Sequence, residues 1–301
     1  MKLLSRARRF LQRFQHRTVD PLLRMPSVAG SCNVCGRSTT FHYDDWQTAR
    51  ESLVCAHCRC TSRYRSLAKG LLRAAEELRG VRADSLAELR ARAVAERLTV
   101  YDTQVAITAE RGAYPIPSLL AAVPWIDLRT SVFKTALAWG AEVEPGVTNQ
   151  NLEALTFPDA SFDVVLTSDV MEHVRLAAAA HREIRRILRP GGVYLFTVPH
   201  DRGRATTLER VRIVDPADPA RDEHLMEPEY HGDANSPDNR ALAYRLYGLD
   251  LDAELRGLGF EVGYTREDDL AHGIANTELF YCRVCRVAGP SVPLAREAGS
   301  G

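Results

Sequence analysis

Residues 162–198 restrict the possible folds more than any other part of the chain. Phe162-Asp-Val-Val-Leu-Thr167 is a short, continuously apolar stretch rich in β-branched residues, and Val193-Tyr-Leu-Phe-Thr-Val198 is a second. Between them, residues 176–188 repeat apolar side chains at helical spacing and stop at Arg189-Pro-Gly-Gly192. A strand–helix–strand unit with continuously apolar strands belongs in a parallel sheet that is covered on both faces. Leu98-Thr-Val-Tyr101 and Trp125-Ile-Asp127 read as two earlier strands. Residues 249–258 read as a later helix closed by Gly257 and Gly259, followed by strands at Phe260-Glu-Val262 and residues 278–284. The expected fold class is α/β, a Rossmann-like sheet with helices on both faces.

A chain of 301 residues can hold one large domain with a small companion. With 45% hydrophobic and 26% charged residues, its composition is that of a soluble globular protein. Lys+Arg and Asp+Glu balance at 39 each, so no overall field draws it to nucleic acid or membrane. The start of the chain is locally basic, with Lys2, Arg6, Arg8, Arg9, Arg13 and Arg17 around Leu3, Leu4, Phe10, Leu11 and Phe14. Such a segment can touch an anionic membrane surface weakly, or remain a loosely docked tail. No apolar stretch approaches the roughly 20 residues of a membrane span. Arginines also interrupt any signal-peptide core after Leu4.

The organisation read from the sequence is a basic tail at 1–30, a Cys-rich segment at 31–62 and a helical connector at 63–96. A main domain follows at 97–286, with a polar and partly mobile insertion at 200–245, and then a disordered tail at 287–301. The connector rests on Leu67, Leu71, Leu72, Ala75 and Leu78 at three- and four-residue spacing.

Cys32-Asn-Val-Cys35 and Cys55-Ala-His-Cys58 are two knuckles separated by residues 36–54. That spacing fits a closed tetrahedral site in which Cys32, Cys35, Cys55 and Cys58 hold a structural Zn2+. A segment this small cannot bury enough core alone, so a metal would hold it together. His57 and Cys60 are neighbours easily mistaken for ligands. Cys282 and Cys285 form a third pair, but they fall in a predicted strand, where side chains alternate faces, and read as plain thiols. An odd count of seven cysteines, clustered in pairs, indicates a reducing compartment, and the expected location is cytoplasmic.

Leu155-Thr-Phe-Pro-Asp-Ala-Ser-Phe-Asp-Val-Val-Leu166, Ser168-Asp-Val-Met-Glu-His-Val174, Ile187-Leu-Arg-Pro-Gly-Gly192 and Phe196-Thr-Val-Pro199 occur in this order. Together they resemble class I S-adenosylmethionine-dependent methyltransferases of the methyltransferase-11-like branch. The Cys-rich segment resembles the N-terminal zinc segment of a bacterial group in that branch, through Arg50-Glu-Ser-Leu-Val-Cys55 and Ser62-Arg-Tyr-Arg65. So do Glu227-Pro-Glu-Tyr-His-Gly-Asp233 and Leu246-Tyr-Gly-Leu-Asp250. The resemblance spans residues 31–285 and implies S-adenosyl-L-methionine as cofactor. It has one departure. The glycine turn that normally follows the first strand is absent from Val100-Tyr-Asp-Thr-Gln-Val-Ala106.

The resemblance implies a set of site residues. Thr103 and Gln104 would replace the glycines by side-chain hydrogen bonds; the alternative is that cofactor binding is lost. Asp127 would hold the ribose hydroxyls. Gln150 and Asn151 would meet the adenine, Asn151 by accepting from its amino group, or would cap their own loop. Ser168 and Asp169 would face the methionine part, with Glu172 and His173 beside the sulfonium. His173, then His231, are the candidate bases for a hydroxyl acceptor. Glu229, Tyr230 and Asp233 are the candidate substrate contacts, and a solvated loop is the alternative.

The leading expectation is methylation of a small molecule, sugar or glycan precursor. RNA methylation is a second reading, weakened because Arg37, Arg50, Arg59, Arg63 and Arg65 are interspersed with Asp44, Asp45 and Glu51. A non-catalytic binding module built on a degenerate methyltransferase fold is the third.

Overall fold

The computed structural model describes residues 27–108, 112–232, 240–266 and 268–285. The basic start of the chain, Asp233 and the C-terminal tail lie outside the described residues. The first elements are strands β1 (Ser27–Ser31) and β2 (Ser38–His42), a one-turn helix α1 (Ala49–Ser52) and strand β3 (Val54–Cys55). Helices α2 (Ser62–Arg79) and α3 (Leu86–Leu89) come next. The main sheet and its first helices follow as β4 (Leu98–Asp102), α4 (Ile116–Ala121), β5 (Ile126–Val132), β6 (Glu142–Glu144), β7 (Val147–Asn149), β8 (Phe162–Ser168), α5 (Ala177–Ile187) and β9 (Leu188–Thr197).

Short strands β10 (Leu208–Glu209), β11 (Val211–Arg212), β12 (Glu223–His224), β13 (Tyr230–Gly232), β14 (Arg240–Leu242) and β15 (Arg245–Leu246) occupy the insertion. Helix α6 (Asp250–Gly257) and strands β16 (Phe260–Thr265) and β17 (Leu279–Val284) complete the order. Among the described residues no helix is long and apolar enough to cross a membrane.

The main sheet runs β16-β17-β9-β8-β4-β5-β7-β6. Strands β7, β5, β4, β8 and β9 are parallel, and β17 pairs antiparallel with β9. In chain order the parallel strands run 3-2-1-4-5, so the direction of winding reverses between β4 and β8. Ligands in such sheets sit at that reversal, outside the carboxyl ends of the strands. All of β8 is buried, as a strand covered on both faces requires.

Two apolar layers cover the sheet. Leu67, Leu71, Ala74 and Ala75 of α2 pack on one face with Val100, Val164 and Leu195. Ala180, Ile184 and Ile187 of α5 and Leu251 and Leu255 of α6 pack on the other with Val165, Phe196 and Phe280. The expected connector is therefore part of the main core. It is also not one helix. Gly80, at φ +67°, caps α2 in the left-handed conformation, and its N–H donates to Ala75 O and Glu76 O.

Two strand boundaries differ from expectation. The second core strand begins near Asp127 instead of ending there, because Leu128 to Val132 continue the pairing with β4 and β7. Arg189-Pro-Gly-Gly192 is a bulge at the start of β9, where the register jumps between Phe162↔Leu188 and Val164↔Val193. A Cβ on Gly192 would lie 2.9 Å from Arg189 O and 3.0 Å from Asp163 O, so only glycine fits the strand crossing there.

The insertion, expected to be partly mobile, forms three two-stranded ribbons: β10–β15, β11–β12 and β13–β14. Arg245 ties them to the main sheet by donating to the carbonyls of Met171, Val174 and Arg175. Arg175 in turn holds Asp222 through two bonds, at 2.6 and 2.7 Å.

The Cys-rich segment is docked with equal care. Arg65 is fully buried and donates to Leu53 O, Cys60 O and Gly273 O, with its guanidinium 4.3 Å from the Phe41 ring centroid. Arg50 grips Asp169 through two bonds, at 2.5 and 2.6 Å, and Arg63 Nε lies 3.4 Å from the same carboxylate. Asp169 follows β8 directly, at φ +50°. Burial alone would raise its pKa, but Arg63, Arg50 and a hydrogen bond from Thr197 outweigh burial and hold it at about 2.

Two stability measurements follow. Gly192→Ala should lower the stability measured by urea unfolding by about 1–3 kcal/mol, since neither carbonyl can retreat without moving a central strand. Asp169→Asn should cost about 3 kcal/mol by leaving two largely buried guanidiniums to share the half-exposed Glu51 as counter-charge. Because folding depresses this pKa, the wild type has its full contribution above about pH 4 and loses it as pH falls towards about 2. The variant should lack that part of the acid unfolding limb, and a limb unchanged from wild type would contradict the assignment.

Candidate active site at the carboxyl ends of the sheet

The end of β4 is the centre of the site. Asp102 is fully buried, and burial raises its pKa to about 7 against hydrogen bonds from Tyr114 Oη at 2.6 Å and Gln104 N at 3.1 Å. Thr103 N donates to Leu166 O of β8, which draws the turn across the point where the winding reverses. Thr103 Oγ1 and Gln104 Oε1 are both buried without a hydrogen-bond partner among the described residues. Buried polar atoms are normally satisfied, so two orphans side by side mark a place for a polar ligand.

The other predicted cofactor contacts divide. Ser168 and Asp169 are at the carboxyl end of β8 as expected, but Arg63 Nη1 donates to Ser168 Oγ at 2.5 Å and Arg50 holds Asp169. Gln150 and Asn151 follow β7 and lie at the same end of the sheet. The amide of Gln150 is spent on its own loop, donating to Thr156 Oγ1 at 2.8 Å and accepting from Thr156 N at 3.1 Å. Asn151 Oδ1 accepts from Glu153 N at 3.0 Å, the loop-capping arrangement. Asp127 is not in the site. It starts β5, at the opposite end of the sheet, half exposed and 3.7 Å from Arg129. The carboxyl end of β5 instead offers Ser131, whose Oγ lies 2.8 Å from Tyr101 Oη.

A second group assembles beside β8. The 3-10 turn Met171–His173 and the β13–β14 ribbon bring Glu172, His173 and His231 together, with their ligating atoms all within 4.8 Å of one another. His173 Nδ1 is 2.9 Å from Leu242 O, and His173 Nε2 is 3.2 Å from His231 Nδ1. His231 Nε2 is 3.1 Å from Glu229 Oε1, and Glu229 also pairs with Arg210. Glu172 is fully buried; burial first, then the Asp169 charge, push its carboxyl up to about 8. Tyr230 alternates to the other face of the ribbon, 44% exposed, with Arg240 stacked 3.9 Å from its ring centroid. Of the expected substrate contacts, the structure therefore brings His231 and its partner Glu229 to the site, turns Tyr230 away, and does not describe Asp233.

Arg50, Arg63 and Glu172 complete the site. The two arginines were visible only as part of the resemblance around the second knuckle. Their signal was a pair of cations flanking Cys55-Ala-His-Cys58, each near in sequence to the acid Glu51 with which Arg63 pairs at 2.7 Å.

The four predicted metal ligands cluster as their spacing implies. Cys32 Sγ is 3.7 Å from Cys58 Sγ, and Cys35 Sγ is 4.0 Å from Cys55 Sγ. Bonds of about 2.3 Å to a tetrahedral zinc would place its sulfurs roughly 3.8 Å apart, so the donor set fits. Cys60 lies 3.2 Å from Cys58 outside this set and accepts from Arg65 Nη1 at 3.6 Å. His57 Nε2 is 3.3 Å from Ser38 O. Cys282 is buried within β17 and Cys285 is exposed beyond it, both as free thiols.

Parts of the chain are similar to known proteins. Residues 109–196 match the family model of the methyltransferase domain. A Mycolicibacterium smegmatis protein described as a "probable S-adenosylmethionine-dependent methyltransferase" is 44% identical over 54 residues, 18% of this chain and 21% of that protein. The chain thus spans about a fifth of the length of this curated relative. Among solved structures, an S-adenosylmethionine-dependent methyltransferase from Mesorhizobium loti is 18% identical over 65% of this chain and 97% of its own, with a TM-score of 0.38. A glycopeptide N-methyltransferase complexed with S-adenosyl-L-methionine is 18% identical over 66% and 93%, with a TM-score of 0.39. Residues 109–196 are thus similar to a methyltransferase domain, and they lie within the sheet whose parallel strands run 3-2-1-4-5.

Proposed function

We propose that the chain transfers a methyl group from S-adenosyl-L-methionine to a hydroxyl-bearing small molecule or glycan precursor, with a structural zinc in the cysteine cluster. The observation that carries this reading is the pair of orphaned atoms, Thr103 Oγ1 and Gln104 Oε1, at the point where the winding reverses. They supply side-chain hydrogen bonds where glycine-rich relatives offer bare backbone. Arg63 donates to Ser168 at the carboxyl end of β8, the end expected to face the methionine part, and a guanidinium there suits a carboxylate. The cofactor supplies an electrophilic methyl on sulfur. The protein's task is to align a nucleophile with it and exclude water. The Glu172–His173–His231 group stands at the same end of the sheet and can take a hydroxyl proton or polarise the hydroxyl. Four thiolates around Zn2+ carry a net double negative charge, which the buried Arg65 beside Cys60 offsets.

Calorimetric titration with S-adenosyl-L-methionine should give one binding event. Gln104→Ala should weaken it about tenfold, the worth of one hydrogen bond to a charged ligand. Asp127→Ala should leave it unchanged. No heat with the wild type would refute cofactor binding, and loss of binding in Asp127→Ala would refute the placement of the site. Metal analysis of untagged protein should find about one zinc per chain, and chelation should lower the melting temperature of the N-terminal region. Clearly less than one equivalent would remove the zinc.

A further inference from the structure

Glu172, His173 and His231 bring three potential ligand atoms within 4.8 Å of one another. Leu242 O can only accept, so His173 places its proton on Nδ1 and leaves the Nε2 lone pair pointing towards His231. Glu229 accepts from His231 Nε2, which leaves the Nδ1 lone pair pointing back. Two acceptor nitrogens therefore face each other at 3.2 Å. The third member of the group is a fully buried carboxylate. Neither of its oxygens has a hydrogen-bond partner among the described residues beyond the influence of its own amide. Glu172 Oε1 is 3.7 Å from His173 Nε2 and 4.0 Å from His231 Nδ1.

Three groups that can each offer an electron pair thus converge, and both oxygens of Glu172 are buried without a hydrogen-bond partner among the described residues. One divalent cation can take a pair from each of them at once, displacing the proton of Glu172. Nitrogen ligands about 2.1 Å from a metal lie roughly 3.0–3.4 Å apart, which matches the facing imidazoles. The outer contacts also match metal practice, in which a ligating histidine donates its other N–H to a carbonyl or carboxylate. Leu242 O and Glu229 are those partners.

We propose that Glu172, His173 and His231 bind a divalent transition-metal ion, separate from the cysteine cluster, whose open positions take oxygen ligands from the methyl acceptor. Two imidazoles and one carboxylate are a borderline donor set suited to Zn2+, Mn2+ or Fe2+, and three protein ligands leave room for others. The class of acceptor this favours bears a hydroxyl, or two neighbouring hydroxyls that chelate. The ion would orient that oxygen and ease loss of its proton to solvent. The acceptor class rests on the proposed methyl transfer; the metal site itself does not.

The test is titration of the full chain, carrying one equivalent of zinc that the four thiolates take first, with Mn2+ alone, following the electron paramagnetic resonance signal of the free ion. Mn2+ prefers oxygen and nitrogen to thiolate, so it leaves the cysteine cluster alone. The wild type should bind about one equivalent. His231→Ala, on the partly exposed ribbon, should weaken binding by at least about tenfold with an unchanged melting temperature. Glu172→Gln should do the same, and it serves as the second variant if His231→Ala folds poorly. Absence of Mn2+ binding by the wild type at millimolar concentration overturns the proposal, as does undiminished binding in both variants. S-adenosyl-L-methionine titration of the same samples separates the two readings. Mn2+ binding without cofactor binding keeps the metal site and removes methyl transfer, and the reverse result removes the metal site alone.

Discussion

The ion pair of Arg50 and Arg63 with Asp169 is the contact on which the rest of the site depends. Asp169 is the residue that turns the chain out of β8, in a left-handed conformation that a non-glycine residue adopts at some cost. Arg50 comes from the Cys-rich segment and Arg63 from the first turn of α2, on either side of the second knuckle. The small N-terminal unit is thereby latched to the carboxyl end of the sheet, where cofactor sites of this fold lie. A metal that orders the knuckles would also order Arg50 and Arg63. The zinc candidate is structural in its chemistry, yet its position lets it govern the geometry of a site to which it contributes no open coordination position.

Arg245 performs the matching task from the other side of the site. Its guanidinium donates to the carbonyls of Met171, Val174 and Arg175, where the 3-10 turn gives way to the approach to α5. Tyr244 N reaches Glu172 O, and Leu242 O receives His173. Once these backbone contacts form, the β13–β14 ribbon has one position, and that position sets His231 opposite His173. The imidazole pair is therefore a tertiary product: one ring belongs to the sheet and the other to the insertion.

These dependencies explain what the sequence disclosed. The α/β class, β8, β9 and α5 were legible because continuous apolar strands and a 3.6-residue period are local signals. The cysteine cluster was legible because two knuckles fix four sulfurs through short turns. Asp127 was misplaced because Leu128-Arg-Thr-Ser-Val132 looks too polar for a central strand; its polar side chains are accommodated near the sheet's edge and by the site. Arg50 and Arg63 were hidden because a cation's partner 119 or 105 residues away leaves no periodic trace. The ribbons of the insertion left no local signal for the same reason, since Arg245 and Asp222 spend themselves on partners distant in the chain.

The missing glycine turn now has a physical reading. A glycine turn lets backbone N–H groups approach a cofactor. Here Asp102 Oδ1 already takes the N–H of Gln104, and Leu166 O takes that of Thr103, so those backbone groups are engaged within the protein. What remains unmatched is on the side chains, Thr103 Oγ1 and Gln104 Oε1. The turn has exchanged main-chain donors for side-chain groups without losing its polarity or its place at the reversal of winding. Together with the two unpartnered oxygens of Glu172, these side chains gather buried polar atoms at one end of the sheet, where a polar ligand would satisfy them.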